Sequence, residues 1–247
     1  MSDQLTILGI PIDRVDQAQA LRIMQDYIDS GTPHYIVTAN AEIIYQASQD
    51  ATMRQVVCGA DLVTADGSGV VWASRYIGQP LGERVTGIDL VHAICQTSQA
   101  SGWRIYILGA APGIAQQAAD KLKVQYPGCQ IVGVQHGYFK AEEEPQIVEQ
   151  IRQAQPDVLL VAMGAPRQEL WITKHQDALQ VPVAMGIGGS LDVISGNLKR
   201  APQWMQKLSL EWLYRLIIQP SRFKRILALP KFVLAVRKEQ RQKRRHQ

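Results

Sequence analysis

Residues 158–171 read VLLVAMGAPRQELW. An unbroken apolar run gives way at Gly164 and Pro166 to the polar start of a segment of helical period. A strand with no polar alternation is buried on both faces, as in a parallel sheet covered by helices. The same pattern recurs along the chain. Short β-branched runs at 6–12, 34–37, 62–64, 104–108, 130–134, 158–162 and 181–185 predict strands. Segments at 15–29, 41–58, 69–77, 87–99, 114–125, 142–153 and 167–176 predict the helices between them. This alternation predicts an α/β fold, a Rossmann-like, mostly parallel sheet with helices on both faces over residues 1–198. Residues 199–247 are predicted to form a basic amphipathic helical appendage.

In such sheets ligands collect beyond the carboxyl ends of the strands, so the residues after each predicted strand carry the functional signal. They read TANAE (38–42), ADGSG (65–69), LGAAPG (108–113), HGYF (136–139), MGAPRQE (163–169) and GIGGSLD (186–192). Each has a bland reading beside the functional one. LGAAPG could bring a helix N-terminus to a diphosphate, but it lacks G-x-G-x-x-G spacing and also reads as a tight turn. Asp192 could accept nucleotide hydroxyls or cap a helix. Asp66, before a Gly-Ser-Gly turn, could be a general base aimed into the crevice or a turn residue. Arg84 could hold an anion by charge-assisted hydrogen bonds or pair with Asp61 or Asp89. Gln168 and Glu169 could serve a ligand or merely open a helix. The five histidines show no metal spacing and no Asp-x-Asp pair occurs, so no metal site is expected.

Composition bounds the class. With 247 residues, 46% hydrophobic and 19% charged, and a mean hydropathy of -0.10, the chain is neither fibrous nor disordered. Its net charge of +4 hides a division. Residues 1–198 carry 12 Lys and Arg against 20 Asp and Glu, a net −8, and residues 199–247 carry 14 against 2, a net +12. Cys58, Cys95 and Cys129, odd in number and set in apolar stretches, predict core thiols in a reducing compartment. The polar start Met1–Gln4 and the early break of TILGIPI by Gly9 and Pro11 lead us to expect no signal peptide, and no apolar run approaches the ~20 residues of a membrane span. A cytoplasmic protein is expected.

The basic end is patterned. Met205, Leu208, Trp212 and Leu216 recur at intervals of three and four, with Leu213 and Ile217 beside them, which predicts an apolar helical stripe ending at Pro220. Phe223, Ile226 and Leu227 sit among Arg222, Lys224 and Arg225, and after Pro230 the residues Phe232, Val233 and Val236 form a third short face before RKEQRQKRRHQ. Apolar faces edged by Lys and Arg suit an anionic membrane surface. Packing on the core and nucleic-acid binding are the alternatives, and the interleaving of aromatics with aliphatics disfavours nucleic acid.

Taken in order, TANAE, VTADGSGVVW, ERVTGIDL, LGAAPG, AMGAPRQELW, GIGGSLDVISGNLKRAP and LEWLYRLIIQPSRFKR resemble the WecG/TagA/CpsF family of bacterial glycosyltransferases, from about Ile7 to Arg225. The resemblance implies inverting, metal-independent transfer of N-acetylmannosamine or its uronic acid from a UDP donor to polyprenyl-diphosphate-linked N-acetylglucosamine. No cofactor is implied. The setting would be the cytoplasmic membrane face, in the synthesis of teichoic acid or another surface polysaccharide. Asp66 matches the family's base, and Thr38, Asn40, Arg84 and Gln168 match residues around the sugar and diphosphate. Gly109, Gly113, Gly137, Gly164, Gly188, Tyr138 and Asp192 would lie near the nucleotide. Arg215, Arg222 and Arg225 match arginines of an appendage that docks on the membrane and reaches the diphosphates. The family is also associated with homo-oligomers formed through the core. Two alternatives stay open: another donor, such as UDP-glucose, and a non-catalytic nucleotide-binding module whose basic tail binds nucleic acid or a partner. The 22 residues after Arg225 match nothing in this pattern.

Overall fold

The computed structural model describes residues 3–208, 210–220 and 223–245. Six strands form one parallel sheet: β3 (His34–Ala39), β4 (Leu62–Ala65), β5 (Arg104–Gly109), β6 (Gln130–Gln135), β7 (Val158–Ala162) and β8 (Val183–Gly186), in the order β4-β3-β8-β7-β5-β6. The predicted strand at 181–185 starts two residues late because Pro182 has no N–H for the ladder. Its carbonyl instead accepts from His34 N at 2.9 Å.

The run 6–12 is not a strand of this sheet. It is a hairpin of β1 (Gln4–Ile7) and β2 (Ile10–Asp13), reversed by Leu8 (φ 52°) and Gly9 (φ 78°). Two successive residues in the left-handed region make the tight turn that antiparallel strands need. Asp13 ties the hairpin to the sheet edge, its Oδ2 accepting from Val63 N at 2.7 Å.

Alternation within each strand feeds two cores. Val158 and Leu160 of β7 pack with Ile36, Ile105, Ile107 and Met185 beneath α1 (Gln17–Ser30), α5 (Gly87–Ser101) and α6 (Ile114–Gln125). Leu159 and Val161 pack on the other face with Val37 and Leu108. There they meet α2 (Ala41–Gln49), α3 (Ala51–Cys58), α4 (Ser68–Tyr76), α7 (Glu144–Ala154) and α8 (Arg167–Leu179). Each such side chain contributes roughly 1.5–3 kcal/mol by leaving water. The single helix expected over 41–58 is split at Asp50. That residue ends α2 in extended conformation and caps α3 by accepting from Met53 N at 2.8 Å.

The basic end departs most from expectation. The stripe beginning at Met205 is two helices, α10 (Gln203–Lys207) and α11 (Glu211–Ile218), following the short α9 (Ser190–Ile194). After α12 (Phe223–Ile226), one helix, α13 (Ala228–Arg245), carries Pro230 in its first turn, where the missing N–H breaks no helical bond. The charged run 237–245 is therefore helical. Phe232 and Val236, expected on an outward face, are 0% exposed and belong to the core with α2 and α4. Glu239 anchors the helix by accepting from Leu8 N at 3.3 Å. Among the cysteines, Cys95 and Cys129 are buried as expected, but Cys58, at the end of α3, is exposed. No helix among the described residues is long and apolar enough to cross a membrane.

Candidate active site

In the sheet, β5 passes to β6 on one side and β7 to β8 on the other. The crevice between such diverging connections is where α/β sheets bind ligands. A cavity of about 560 Å³ opens at this carboxyl edge, walled by the loops after β3, β4, β5, β6, β7 and β8 and by α11 to α13.

Asp66 stands in it, one residue past β4. Its amide donates to Ala39 O at 2.8 Å, which fixes the backbone beside β3, and its Oδ2 accepts from Gly87 N at 3.4 Å. Gly67, with φ 100°, turns the chain at once into α4. Burial pushes the Asp66 carboxyl up to about 6, against the opposing pull of that amide and of Arg215 and Arg84.

Thr38 and Asn40 reach the cavity wall, each with one side-chain hydrogen bond to the backbone. Thr38 donates its hydroxyl to Gly186 O at 2.9 Å, bridging β3 to β8, and Asn40 caps α2 by accepting from Ile43 N at 3.0 Å. Arg84 pairs with neither Asp61 nor Asp89. Its partner is Glu211 of α11, and Asp61 instead accepts from Tyr35 N. Gln168 lies at the start of α8, with Oε1 accepting from both Gly164 N and Gly188 N.

The glycines divide by role. Gly109 (φ 134°) lets β5 lie against β7, since a Cβ would sit 2.4 Å from Ala162 O. Gly113 starts α6 and stands behind the wall, whereas Gly137, Gly164 and Gly188 form part of it. Tyr138 is exposed at the mouth, and Asp192 lines the wall while accepting weakly from Asn197 Nδ2 at 3.5 Å. Arg215 and Arg225 both face the cavity. Arg225 lies 3.7 Å from Glu42, and Arg215 has no carboxylate within ion-pair distance among the described residues. Arg222 lies outside the described residues.

Helices α1, α2, α3 and α5 begin with side-chain caps from Asp16, Asn40, Asp50 and Thr86. Helices α4 and α8, which start at the crevice, have none, and neither does α6, which starts behind it. The positive ends of the α4 and α8 dipoles favour an anion in the crevice, although Ile114 N of α6 already donates to Ala111 O at 3.0 Å and Gln168 N of α8 to Gly164 O at 3.1 Å. Five arginines on the wall, Arg84, Arg167, Arg200, Arg215 and Arg225, act in the same direction.

The model of the glycosyl transferase WecG/TagA/CpsF family matches residues 5–246. The chain belongs to that family. The match runs past Arg225, so all but the last of the 22 residues after it, which the motifs alone left unassigned, fall within the family pattern. A relative from Bacillus spizizenii, named N-acetylglucosaminyldiphosphoundecaprenol N-acetyl-beta-D-mannosaminyltransferase, is 39% identical over 215 residues, 87% of this chain and 83% of its own. Relatives of the same name from Bacillus subtilis and Staphylococcus aureus are 37% and 33% identical, over 88% and 96% of this chain and 84% and 94% of their own.

Several wall residues of the cavity escape the strand-end motifs. Glu211, Trp212 and Arg200 come from the appendage and the segment leading to it. Arg200 lies 3.0 Å from Asp89 and 3.8 Å from Glu211, so one acid gathers two arginines at the cavity rim. The available signal was that Glu211 is one of only two acids in residues 199–247. No group of three or more His, Cys, Asp or Glu side chains able to hold a metal ion occurs among the described residues.

Proposed function

We propose that this glycosyltransferase moves N-acetylmannosamine from a UDP donor to N-acetylglucosamine carried on a polyprenyl diphosphate, with Asp66 as base. The observation that carries the proposal is a carboxyl held near 6 inside an arginine-lined cavity. A base with that pKa is ionised at neutral pH yet still takes a proton readily. In the step, the Asp66 carboxylate takes the proton of the acceptor hydroxyl. The freed oxygen attacks the anomeric carbon from the side opposite UDP, the bond from that carbon to the phosphate oxygen breaks, and configuration inverts. Negative charge gathers on the departing diphosphate, where Arg84, Arg215 and Arg225 and the positive end of the α8 dipole can meet it. We propose that these groups replace a divalent cation.

The curated relatives are named for this donor sugar and this acceptor, which supports the choice over UDP-glucose. Trp204, Leu208, Ile217, Phe223 and Leu234 are exposed on the +12 end, from residue 199 onward. This apolar and basic surface suits contact with the anionic membrane that holds the acceptor. On this reading residues 199–247 form a membrane-facing appendage whose last helix is docked on the core. The test is a donor panel with a short-chain polyprenyl-diphosphate acceptor, with and without chelator. Turnover of UDP-N-acetylmannosamine that survives chelation supports the proposal, and no turnover of it, or dependence on added divalent metal, refutes the corresponding part.

A further inference from the structure

After β7 and β8 two loops leave the sheet side by side, turning at Gly164 (φ 76°) and Gly188 (φ 54°). Both amides donate to one atom, Oε1 of Gln168, at 3.1 and 3.0 Å, so a single side-chain carbonyl joins the loops. Gly186 makes room for this, because a Cβ there would lie 2.5 Å from Gln168 Nε2. That nitrogen donates to Oε1 of Glu169 at 2.7 Å. Glu169 is 2% exposed, and its Oε2 has no hydrogen-bond partner among the described residues. Burial, reinforced by Glu42, holds its carboxyl above the usual range.

A buried carboxyl with an unsatisfied oxygen is costly to keep, and nothing in the transfer step uses it. Its function is readable in what it does to Gln168. A side-chain amide can be inverted with almost no change of shape. Inverted, Gln168 would set its NH₂ against two backbone N–H groups and its oxygen against Glu169. The Glu169 acceptor selects the one orientation in which all three hydrogen bonds form.

We propose that Glu169 is a positioning residue for donor binding: through Gln168 it fixes the loops 163–166 and 187–190 so that they form one wall for the donor's diphosphate. The proposal rests on the UDP donor reading given above. Both loops line the cavity, and Glu169 itself lies behind them.

The test compares Glu169→Leu, Glu169→Gln, Gln168→Leu and the double variant Gln168→Leu/Glu169→Leu. The readouts are UDP affinity by calorimetry, kcat and KM for the donor, melting temperature, and hydrogen exchange at the Gly164 and Gly188 amides. Glu169→Leu should speed exchange at both glycines and weaken UDP binding by about tenfold or more, with KM rising further than kcat falls. Glu169→Gln keeps an acceptor for Gln168 Nε2 and should restore UDP affinity to within roughly threefold. In the Gln168→Leu background, losing Glu169 should cost no further affinity. If Glu169→Leu fails to fold, Glu169→Asp, which withdraws the acceptor by one methylene, should show the same faster exchange. Unchanged exchange, additive losses in the double variant, or a Glu169→Gln variant as impaired as Glu169→Leu would overturn the proposal. Wild-type protein that fails to bind UDP would instead remove the donor reading, while the exchange data would still decide the role of Glu169 in holding the loops.

Discussion

Replacing Asp66 by Asn removes a titratable proton while leaving an oxygen to accept from Gly87 N. The rise of the carboxyl from 3.8 to about 6 corresponds to roughly 3 kcal/mol, at 1.36 kcal/mol per tenfold change in proton affinity. The sign follows from linkage. Between these two values the folded chain holds the proton more tightly than the unfolded chain, so stability falls as pH rises through 4 to 6 and is level above. Asn carries no such penalty. Its advantage over Asp should therefore grow by roughly 2–3 kcal/mol between pH 4 and pH 7.5. For a chain of this size that is about 5–10 °C in melting temperature. Scanning both proteins at the two pH values cancels every other titration. In the same variant transfer should fall by about 10²–10⁴, the usual contribution of a general base, with UDP affinity retained. Wild-type kcat/KM should drop on the acid side of about 6, because only the carboxylate accepts the proton. A melting difference independent of pH would show that the carboxyl is not held above its ordinary range. A fully active Asn variant would end its assignment as base.

Removing Arg215 deprives the Asp66 carboxylate of a stabilising charge, so Arg215→Gln should move the acid limb of the pH–rate profile to higher pH, measured against wild type in one buffer series. Phe232→Ala empties a fully buried site under α13 and should cost about 3–5 kcal/mol in denaturant unfolding, whereas Leu234→Ala, at 64% exposure, should stay within about 0.5 kcal/mol of wild type. The double change Ile217→Ser/Phe223→Ser removes two exposed apolar side chains and should reduce sedimentation with anionic vesicles at unchanged melting temperature. Equal sedimentation would show that these side chains do not meet the lipid.

The sheet was legible because burial on both faces leaves a direct trace, an apolar run such as VLLVA bounded by glycine or proline. Helices with strong boundary residues were legible for the same kind of reason, and 114–125 was read to the residue. The hairpin at the start was not, because Leu8 adopts a left-handed conformation that its residue type does not advertise. The sequence places Asp66 beside glycines, but the rise of its carboxyl comes from burial in the fold, adjusted by Arg215 and Glu211 from far along the chain, which no local pattern encodes.

The appendage shows most plainly where local reading stops. Periodicity finds the apolar faces of α11 and α13 equally well, yet one stays largely exposed and the other closes the core. Periodicity gives the existence of a face, and its partner is set by what the rest of the chain leaves uncovered, here the apolar side chains of α2 and α4. Charge adds the second constraint. Glu211 meets Arg84 and Arg200 from the far side of the cavity, which brings Trp212 and Arg215 to the wall. A cluster of cations alone would drive α11 away from that rim, so the acid embedded in a basic segment is what lets a +12 end settle over an arginine-lined site.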